Sequence, residues 1–372
     1  MLHDPTVLKM AKTILNYSFK IKAGDFLFVE CEAVSVPLLA AVYEEATRMG
    51  IHVDYHVAQP AFEETFFRLA NEDQLSFRNP LKIKRFEEIT HLLTIWGTSN
   101  SKSLTGIEPK KLQTYALAKQ SWREIFFRRL GDGTMEWCGT QFPTFAEAQE
   151  AGMSMTEYQE FVFEACMLDR EDPIQAWTEL EQRQQKFVDA LNRYDSFEIV
   201  APGTHLTLRC GGRKWVNSSG HANFPSGEVF TSPIEDTVEG TIRFSFPGIY
   251  MGQEIEDIRL TFEHGKVVKA EAAKGQDLLQ ILLETDEGAS RLGEFAFGTN
   301  PGITRFTRNM LFDEKIGGTI HLAVGESFPE ALGVNKSAIH WDMLCDMREE
   351  GKVFADGRLI YEHGQFLPAL FE

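Results

Sequence analysis

The sequence predicts two domains of different class: an N-terminal α/β domain with a parallel sheet, then an α+β domain rich in antiparallel strands. The chain has 372 residues, and single hydrophobic cores usually stop growing near about 250 to 300 residues. Residues 1–190 alternate helix-like and strand-like segments, whereas residues 191–372 consist mainly of short strands and tight turns. We therefore expect the domain boundary near residue 190, with the helical pattern of residues 145–193 forming an extension of the first domain.

The first domain begins with the order helix, strand, helix, strand. Apolar residues between Val7 and Leu15 recur at helical spacing. Residues 26–31 (FLFVEC) form the continuous apolar run typical of a buried strand, residues 36–50 form a helix that ends at Gly50, and residues 51–57 alternate like a strand. This is a β-α-β unit with a parallel pair, to which residues 91–97 add a further central strand.

The second domain shows the pattern of antiparallel hairpins. Each predicted hairpin places a turn dipeptide between two strand-like runs. The hairpins span residues 197–210 about Pro202 and Gly203, 260–272 about His264 and Gly265, and 351–367 about Asp356 and Gly357. A helix at residues 277–287 interrupts these strands.

Charge argues against several classes of partner. The 37 basic and 55 acidic residues give a formal net charge of −18, which repels phosphate backbones and anionic lipid surfaces. The N-terminus lacks the apolar core of a secretory signal, and no apolar stretch is long enough to span a bilayer. We expect a cytoplasmic protein that binds neither nucleic acid nor membrane.

The five cysteines are scattered through the chain and form no C-x-x-C pair. This pattern suggests neither a zinc knuckle nor a redox motif. We expect reduced and mostly buried thiols.

Acidic and imidazole side chains recur in the second half, in segments that read as loops and strand ends flanked by glycine and proline. Four stretches carry them: NFPSGEVFTSP with Glu228, RLGEFAFGTNPG with Glu294, GTIHLAVGESFP with His321, and SAIHWDMLCD with His340 and Asp342. If the last stretch is a strand, His340 and Asp342 share one face and Trp341 points to the other. That pair either binds a metal ion or forms a buried histidine held by an acid.

Two glutamates, two histidines and one aspartate form an oxygen-rich set with some nitrogen. Such a set suits two hard or borderline divalent ions better than one tetrahedral structural zinc. Two ions that share a water activate it as a nucleophile and polarise a carbonyl, which indicates hydrolysis. The plainer reading of each position is a solvated turn glutamate, a hydrogen-bonded core histidine or a structural pair, and no H-E-x-x-H motif is present.

At these residues the sequence resembles the thermophilic aminopeptidase family, the M29 metallopeptidases. The likeness covers most of the chain and includes several stretches in the family's order. They are FPTFAEAQEAGMSMTEYQEFV (142–162), LDREDPIQAW (168–177), NFPSGEVFTSP, RLGEFAFGTNPGI, GGTIHLAVGESFP and SAIHWDMLCDM.

The resemblance implies two divalent ions per chain, with Zn²⁺ or Co²⁺ first and Mn²⁺ or Mg²⁺ as alternatives. Matched motif by motif, the implied ligands are Glu228, Glu294, His321, His340 and Asp342, with Glu294 chosen as the bridging carboxylate. It further implies release of single residues from the free N-terminus of small peptides by a homodimer. We assign Glu228 a second role as the group that moves a proton from the water to the leaving amine.

One departure from the family pattern bears on catalysis. The family places a tyrosine seven residues after the first histidine ligand, and this chain has Phe328 there. A missing hydroxyl donor in such a site costs on the order of 10² in rate. Tyr250 and Tyr361 are the candidate substitutes in the second domain. Two alternatives stay open: a metal-dependent hydrolase of another small amide or ester, because the same activated water attacks many carbonyls, and a catalytically weak peptide-binding relative, for which Phe328 is the main reason.

Overall fold

The computed structural model describes residues 4–250 and 252–372, which divide into two compact units. The first unit runs to Trp177 and also contains Gly220–Pro225, and the second contains Thr178–Ser219 and Ser226–Glu372. The boundary near residue 190 stays a prediction; it lies at the end of a helix, Pro173–Leu191, that begins in the first unit and ends in the second.

The first unit is a parallel sheet with helices. Its strands are β1 (Phe26–Glu32), β2 (His52–Ala58), β3 (His91–Trp96), β4 (Glu136–Gln141) and β8 (Asn223–Phe224), in the spatial order β2-β1-β3-β4-β8. All neighbours in this sheet are parallel. The α-helices that begin in this unit are α1 (Pro5–Thr13), α2 (Val36–Arg48), α3 (Pro60–Leu69), α4 (Glu72–Leu75), α5 (Pro80–Glu88), α6 (Pro109–Gly131), α7 (Phe145–Glu150), α8 (Met155–Ala165) and α9 (Pro173–Leu191).

Local chemistry explains where these helices begin. The carboxylate of Asp4 accepts hydrogen bonds from the backbone N–H groups of Thr6 and Val7, and Pro5 opens α1. Proline suits the first helical position because its missing N–H has no intrahelical partner there. Ser154 and Glu157 form a capping box at the start of α8.

The second unit contains antiparallel strands and two short helices. Its strands are β5 (Ser196–Ala201), β6 (Thr204–Arg209), β7 (Val216–Ser218), β9 (Glu228–Thr231), β10 (Glu239–Arg243), β11 (Gly248–Tyr250), β12 (Gln253–Ile255), β13 (Arg259–Glu263), β14 (Lys266–Glu271), β15 (Leu292–Gly298), β16 (Thr319–Gly325), β17 (His340–Asp346), β18 (Lys352–Ala355), β19 (Arg358–Glu362) and β20 (Gln365–Phe366). Its helices are α10 (Gln276–Leu283) and α11 (Met310–Asp313).

Two larger sheets and one hairpin organise these strands. The larger sheet has the order β14-β13-β10-β6-β5-β18-β19-β20, and the smaller has the order β17-β16-β15-β9-β7. Strands β11 and β12 form a separate antiparallel pair. One apolar core joins side chains of the two larger sheets, for example Ile199 and Leu206 with Phe297 and Leu322.

The predicted fold class is confirmed. The structure has an α/β part with a parallel sheet and a part built of antiparallel strands, and the three predicted hairpins form β5–β6, β13–β14 and β18–β19. All five cysteines are buried free thiols, as predicted. Within the described ranges, no helix has both the length and the apolar character needed to cross a membrane.

Candidate metal centre

The smaller sheet of the second unit has one apolar face and one face that carries the predicted site residues. Phe295, Phe297 and Leu322 point into the core. Because side chains alternate along a strand, the neighbours of these residues point to the other face. The register places Gly298 opposite Glu228, Ala296 opposite His321, and Ala323 opposite Asp342.

All five sequence-predicted residues lie on strands and on that second face. Glu228 opens β9, Glu294 lies on β15, His321 on β16, and His340 and Asp342 on β17. The alternation expected for His340 and Asp342 is therefore present, and Trp341 packs in the core on the opposite face.

The expectation that Glu228 and Glu294 lie in loops is wrong, because both lie on strands. The glycine before each of them permits a close contact and does not make a turn. A Cβ on Gly227 would lie 2.7 Å from the Cβ of Asn300, and Gly227 has a φ of +127°. Gly293 is the extra residue of a β-bulge, and a Cβ there would lie 2.3 Å from the backbone oxygen of Glu326. Gly227 thus permits a close approach to Asn300, and Gly293 permits one to the backbone of Glu326.

The five side chains converge. The Nε2 atom of His321 lies 3.6 Å from Oε2 of Glu228 and 3.6 Å from Oε1 of Glu294. The Nε2 atom of His340 lies 3.1 Å from Oε2 of Glu294 and 3.4 Å from Oδ1 of Asp342. The donor atoms form two groups, each with its members within 4.8 Å of one another: Glu228, Glu314 and His321 in one, and Glu294, His340 and Asp342 in the other.

Sequence reasoning missed Glu314 and Lys315, which follow α11 and precede β16. The side chain of Lys315 is fully buried; its Nζ lies 3.5 Å from Oε1 of Glu228 and contacts Oε1 of Glu314. A stretch such as DEK is usually a solvated turn, so the charges alone gave no signal. The signal that was available is position, since these residues lie between apolar Phe312 and Ile316 shortly before the strand that carries His321.

The cluster strongly perturbs its own ionisation. Burial alone would lower the pKa of His321, but the carboxylates of Glu294 and Glu228 outweigh it and raise that pKa to about 9. Burial would likewise raise the pKa of Asp342, but His340 outweighs it and lowers the pKa to about 2. Burial raises the pKa of Glu228, although Lys315 and His321 oppose the shift. These are the effects expected where opposite charges crowd together away from water.

The residues present fit divalent metal ions. Oε2 of Glu228 and Oδ1 of Asp342 are buried in the cluster and have no hydrogen-bond partner among the described residues, although buried polar atoms are nearly always satisfied. Carboxylate oxygen and imidazole nitrogen are common ligands of zinc and other divalent ions. Nδ1 of His340 lies 2.7 Å from the backbone oxygen of Glu326. Because a carbonyl only accepts, Nδ1 carries the proton and Nε2 faces the cluster, as in metal-bound histidines.

Phe328 lies beside this centre, and the two candidate tyrosines do not. The ring centroid of Phe328 lies 4.8 Å from that of His340. Tyr250 packs against Trp341 and Tyr361 packs against Phe297, both on the core face of the sheet. The suggestion that one of these tyrosines replaces the missing hydroxyl is therefore wrong.

Known proteins resemble this chain over nearly its whole length. The model of the thermophilic metalloprotease family M29 matches residues 3–366. Aminopeptidase 2 of Geobacillus stearothermophilus is 30% identical over an alignment that covers 94% of this chain and 94% of that protein. Aminopeptidase AmpS of Bacillus subtilis is 32% identical over 70% of this chain and 72% of its own length.

A solved structure agrees with these sequence matches. Wild-type AmpT from Thermus thermophilus superposes with a TM-score of 0.84 and 25% sequence identity, covering 97% of this chain and 99% of that chain. The fold, the buried donor cluster and the sequence matches together define a metal-dependent peptidase. The chain belongs to the thermophilic metalloprotease family M29, and the resemblance noted in its motifs is confirmed.

Proposed function

We propose that this chain is an aminopeptidase that uses two divalent ions to release single residues from the free N-termini of small peptides. The observation that carries the proposal is the convergence of Glu228, Glu294, His321, His340 and Asp342 on one sheet face. The matched relatives named aminopeptidases support the type of reaction. Zn²⁺ or Co²⁺ are the proposed ions, and Mn²⁺ or Mg²⁺ are alternatives.

Glu294 is proposed as the bridging ligand. Its Oε1 lies near Nε2 of His321, and its Oε2 lies near Nε2 of His340. One carboxylate thus presents one oxygen to each of the two donor groups. His321 and Glu228, with Glu314 beside them, would complete the first group, and His340 and Asp342 the second.

When bound, a pair of divalent ions supplies an acidified water and polarises the substrate carbonyl. Glu228 is proposed to take the proton of that water and to deliver it to the leaving amine. Oε2 of Glu228 faces the centre, 3.6 Å from Nε2 of His321, and is the oxygen that would hold the proton. Lys315 fixes the other oxygen of the same side chain, so that Glu228 keeps one orientation.

Recognition of a free N-terminus requires negative charge, and the carboxylates of the centre provide it. We further propose a cytoplasmic homodimer, in keeping with the family resemblance. One observation favours a second candidate, a catalytically weak peptide-binding relative: the phenyl ring of Phe328 lies against His340 where the family pattern has a tyrosine.

The test compares free and blocked substrates. The purified protein is incubated with the p-nitroanilides of leucine and phenylalanine, and with short peptides in unblocked and N-acetylated forms. Each assay is run with added Co²⁺ or Zn²⁺ and repeated with a chelator. The proposal expects release from free N-termini only, and loss of release with chelator. Cleavage of blocked substrates would instead favour a general amide or ester hydrolase, and metal binding without turnover the weak relative.

The role of Glu228 has its own test. If Glu228→Gln abolishes turnover and leaves the metal content unchanged, the side chain is the base. If the metal content falls as well, Glu228 is a ligand and another group moves the proton.

A further inference from the structure

The first unit contains a cavity of about 640 Å³ at the carboxyl ends of its parallel strands. Strands β1, β2 and β3 contribute to its walls, together with side chains of α3, α5 and α6. In the order β2-β1-β3, the chain passes from β1 to β2 on one side of β1 and then from β2 to β3 on its other side. Open α/β sheets bind their ligands at such a switch point, outside the carboxyl ends of the strands.

The residues of β1 at this position are unusual for a central strand. Phe26 and Phe28 pack into the apolar layer beneath α5 and α6. The next residues on the same face are Glu30 and Glu32, and both line the cavity. A strand covered on both faces is normally apolar along its whole length. Glu30 and Glu32 therefore face the cavity instead of continuing the apolar layer, and they present carboxylates to a ligand there.

The cavity also presents two ammonium groups. Lys82 and Lys119 line it, and in the described part of the chain neither forms an ion pair. Nζ of Lys119 instead lies 4.2 Å from the ring centroid of Tyr115, and Nζ of Lys82 lies 5.2 Å from that of Trp122. Burial and the neighbouring Lys82 lower the pKa of Lys119, although Glu63 and Glu30 oppose the shift. Glu63 and Glu30 are therefore near Lys119, but neither lies at ion-pair distance from it.

Two of the acidic groups of the lining lie beside the loop after β3. Oε2 of Glu32 accepts a hydrogen bond of 3.3 Å from the backbone N–H of Ser99, directly after β3. Glu147 also lines the cavity and interacts with the backbone of Thr98. Burial raises the pKa of both carboxyl groups. Glu32 and Glu147 thus lie beside the loop after β3, whereas Lys82 and Lys119 lie on α5 and α6, with Glu30 and Glu63 near Lys119.

The cavity lining also contains apolar surface beside these charged groups. Phe62, Phe66, Trp96 and Tyr115 all line the same cavity. Its volume lies within the range of about 300 to 1,000 Å³ that is usual for small-molecule sites. Two lysines disfavour a simple cation, and the acidic lining disfavours a phosphate ester.

We infer that this cavity binds a small zwitterion with an apolar side chain, namely a free amino acid or a peptide of two or three residues. Its ammonium group would lie on Glu32 and Glu147, and its carboxylate on Lys82 and Lys119. The inference goes beyond the proposed function and does not depend on it, because every lining residue belongs to the first unit. The candidate metal centre lies in the second unit.

The probes are L-phenylalanine and two analogues that each lack one charge. N-acetyl-L-phenylalanine lacks the ammonium, and phenethylamine lacks the carboxylate. Binding to the full-length, metal-loaded protein is measured by isothermal titration calorimetry, and hydrogen exchange locates it. We expect L-phenylalanine to protect backbone amides at residues 56–66 and 94–99, and both analogues to bind at least about tenfold more weakly, the effect of losing one charge-assisted hydrogen bond.

Variants then test the acidic and the basic side chains of the lining. Glu32→Gln and Lys119→Met should each weaken this binding by about tenfold or more, and should leave the rate of peptide hydrolysis unchanged. Lys84→Met is the matched control, because Lys84 lies on α5 but pairs with Glu88 and does not line the cavity. Absence of protection in the first unit, or equal binding of all three probes, would overturn the inference even if the variants failed to fold. Absence of peptidase activity in the wild-type protein would not affect the inference, since the readout is binding.

Discussion

Nε2 of His340 lies 3.1 Å from Oε2 of Glu294, while Nδ1 of the same ring is fixed by the backbone oxygen of Glu326. The two residues come from separate strands and are 46 positions apart in the sequence. The outer hydrogen bond sets the orientation of the imidazole before any ion binds. Such preorganisation is characteristic of metal sites, in which outer partners orient the ligands.

Replacement of Glu294 tests its bridging role. Glu294→Gln keeps the shape of the side chain but removes the charge shared by the two donor groups. We expect the variant to lose both ions at micromolar free metal and to lose activity by roughly 10² or more. Metal per chain is measured by inductively coupled plasma mass spectrometry after gel filtration. Glu330→Gln is the control, since Glu330 is exposed; retention of both ions by Glu294→Gln would refute the bridge.

Removal of the buried ammonium should destabilise the metal-free protein. Lys315→Met leaves Glu228 and Glu314 without their buried cation. Loss of one partner of a buried ion pair typically costs about 3 to 5 kcal/mol of unfolding free energy. We expect a lower thermal midpoint in chelator and partial recovery with metal, which replaces the missing positive charge.

The control for this variant is Lys336→Met. Lys336 forms an ion pair with Glu326 on the surface, where such pairs contribute little to stability. Equal thermal midpoints for Lys315→Met and the wild-type protein in chelator would show that Lys315 does not neutralise the centre.

A hydroxyl at position 328 should accelerate the reaction. The ring of Phe328 lies beside His340, so Phe328→Tyr introduces a donor next to the centre. We expect kcat to rise by up to about 10², with little change in KM, because such a donor acts on the charge that develops in the transition state. A change in KM alone would show that the hydroxyl contacts only the bound substrate.

The stability of the first unit should depend on pH through His91. Burial lowers the pKa of this imidazole, although Glu136 and Asp25 oppose the shift. The unfolded residue titrates near pH 6.5, and the folded residue becomes protonated only at a lower pH. The stability contributed by neutral His91 is therefore complete above that pH and is lost as the pH falls below it.

His91→Leu provides the comparison for this prediction. The thermal midpoint of the wild-type protein should fall more steeply between pH 7.5 and pH 5.5 than that of the variant. Parallel pH profiles would mean that His91 does not contribute to the acid sensitivity.

The strands of the second unit were predictable where turn dipeptides and alternation coincide, as in the pair His340 and Asp342. The exact setting of Glu228 and Glu294 was not, because a glycine that permits close backbone packing looks in sequence like a glycine that makes a turn. Lys315 escaped notice because an acid next to a base usually lies in water. Its burial depends on contacts with Glu228, which is 87 positions earlier, and local patterns carry no such information.

The parallel sheet was predicted from its first strands, but not its edge. Strand β8 comprises only Asn223 and Phe224, and it pairs with β4, which lies much earlier in the sequence. Two residues show no periodicity. Only the three-dimensional pairing identifies them as part of the first unit.

The most direct test of the account is a crystal structure of the metal-loaded protein with anomalous diffraction measured at the edge of the bound metal. We expect two peaks about 3.5 to 4 Å apart, one beside Glu228 and His321, the other beside His340 and Asp342, with Glu294 between them. A single peak, or peaks away from these five side chains, would contradict the two-ion centre.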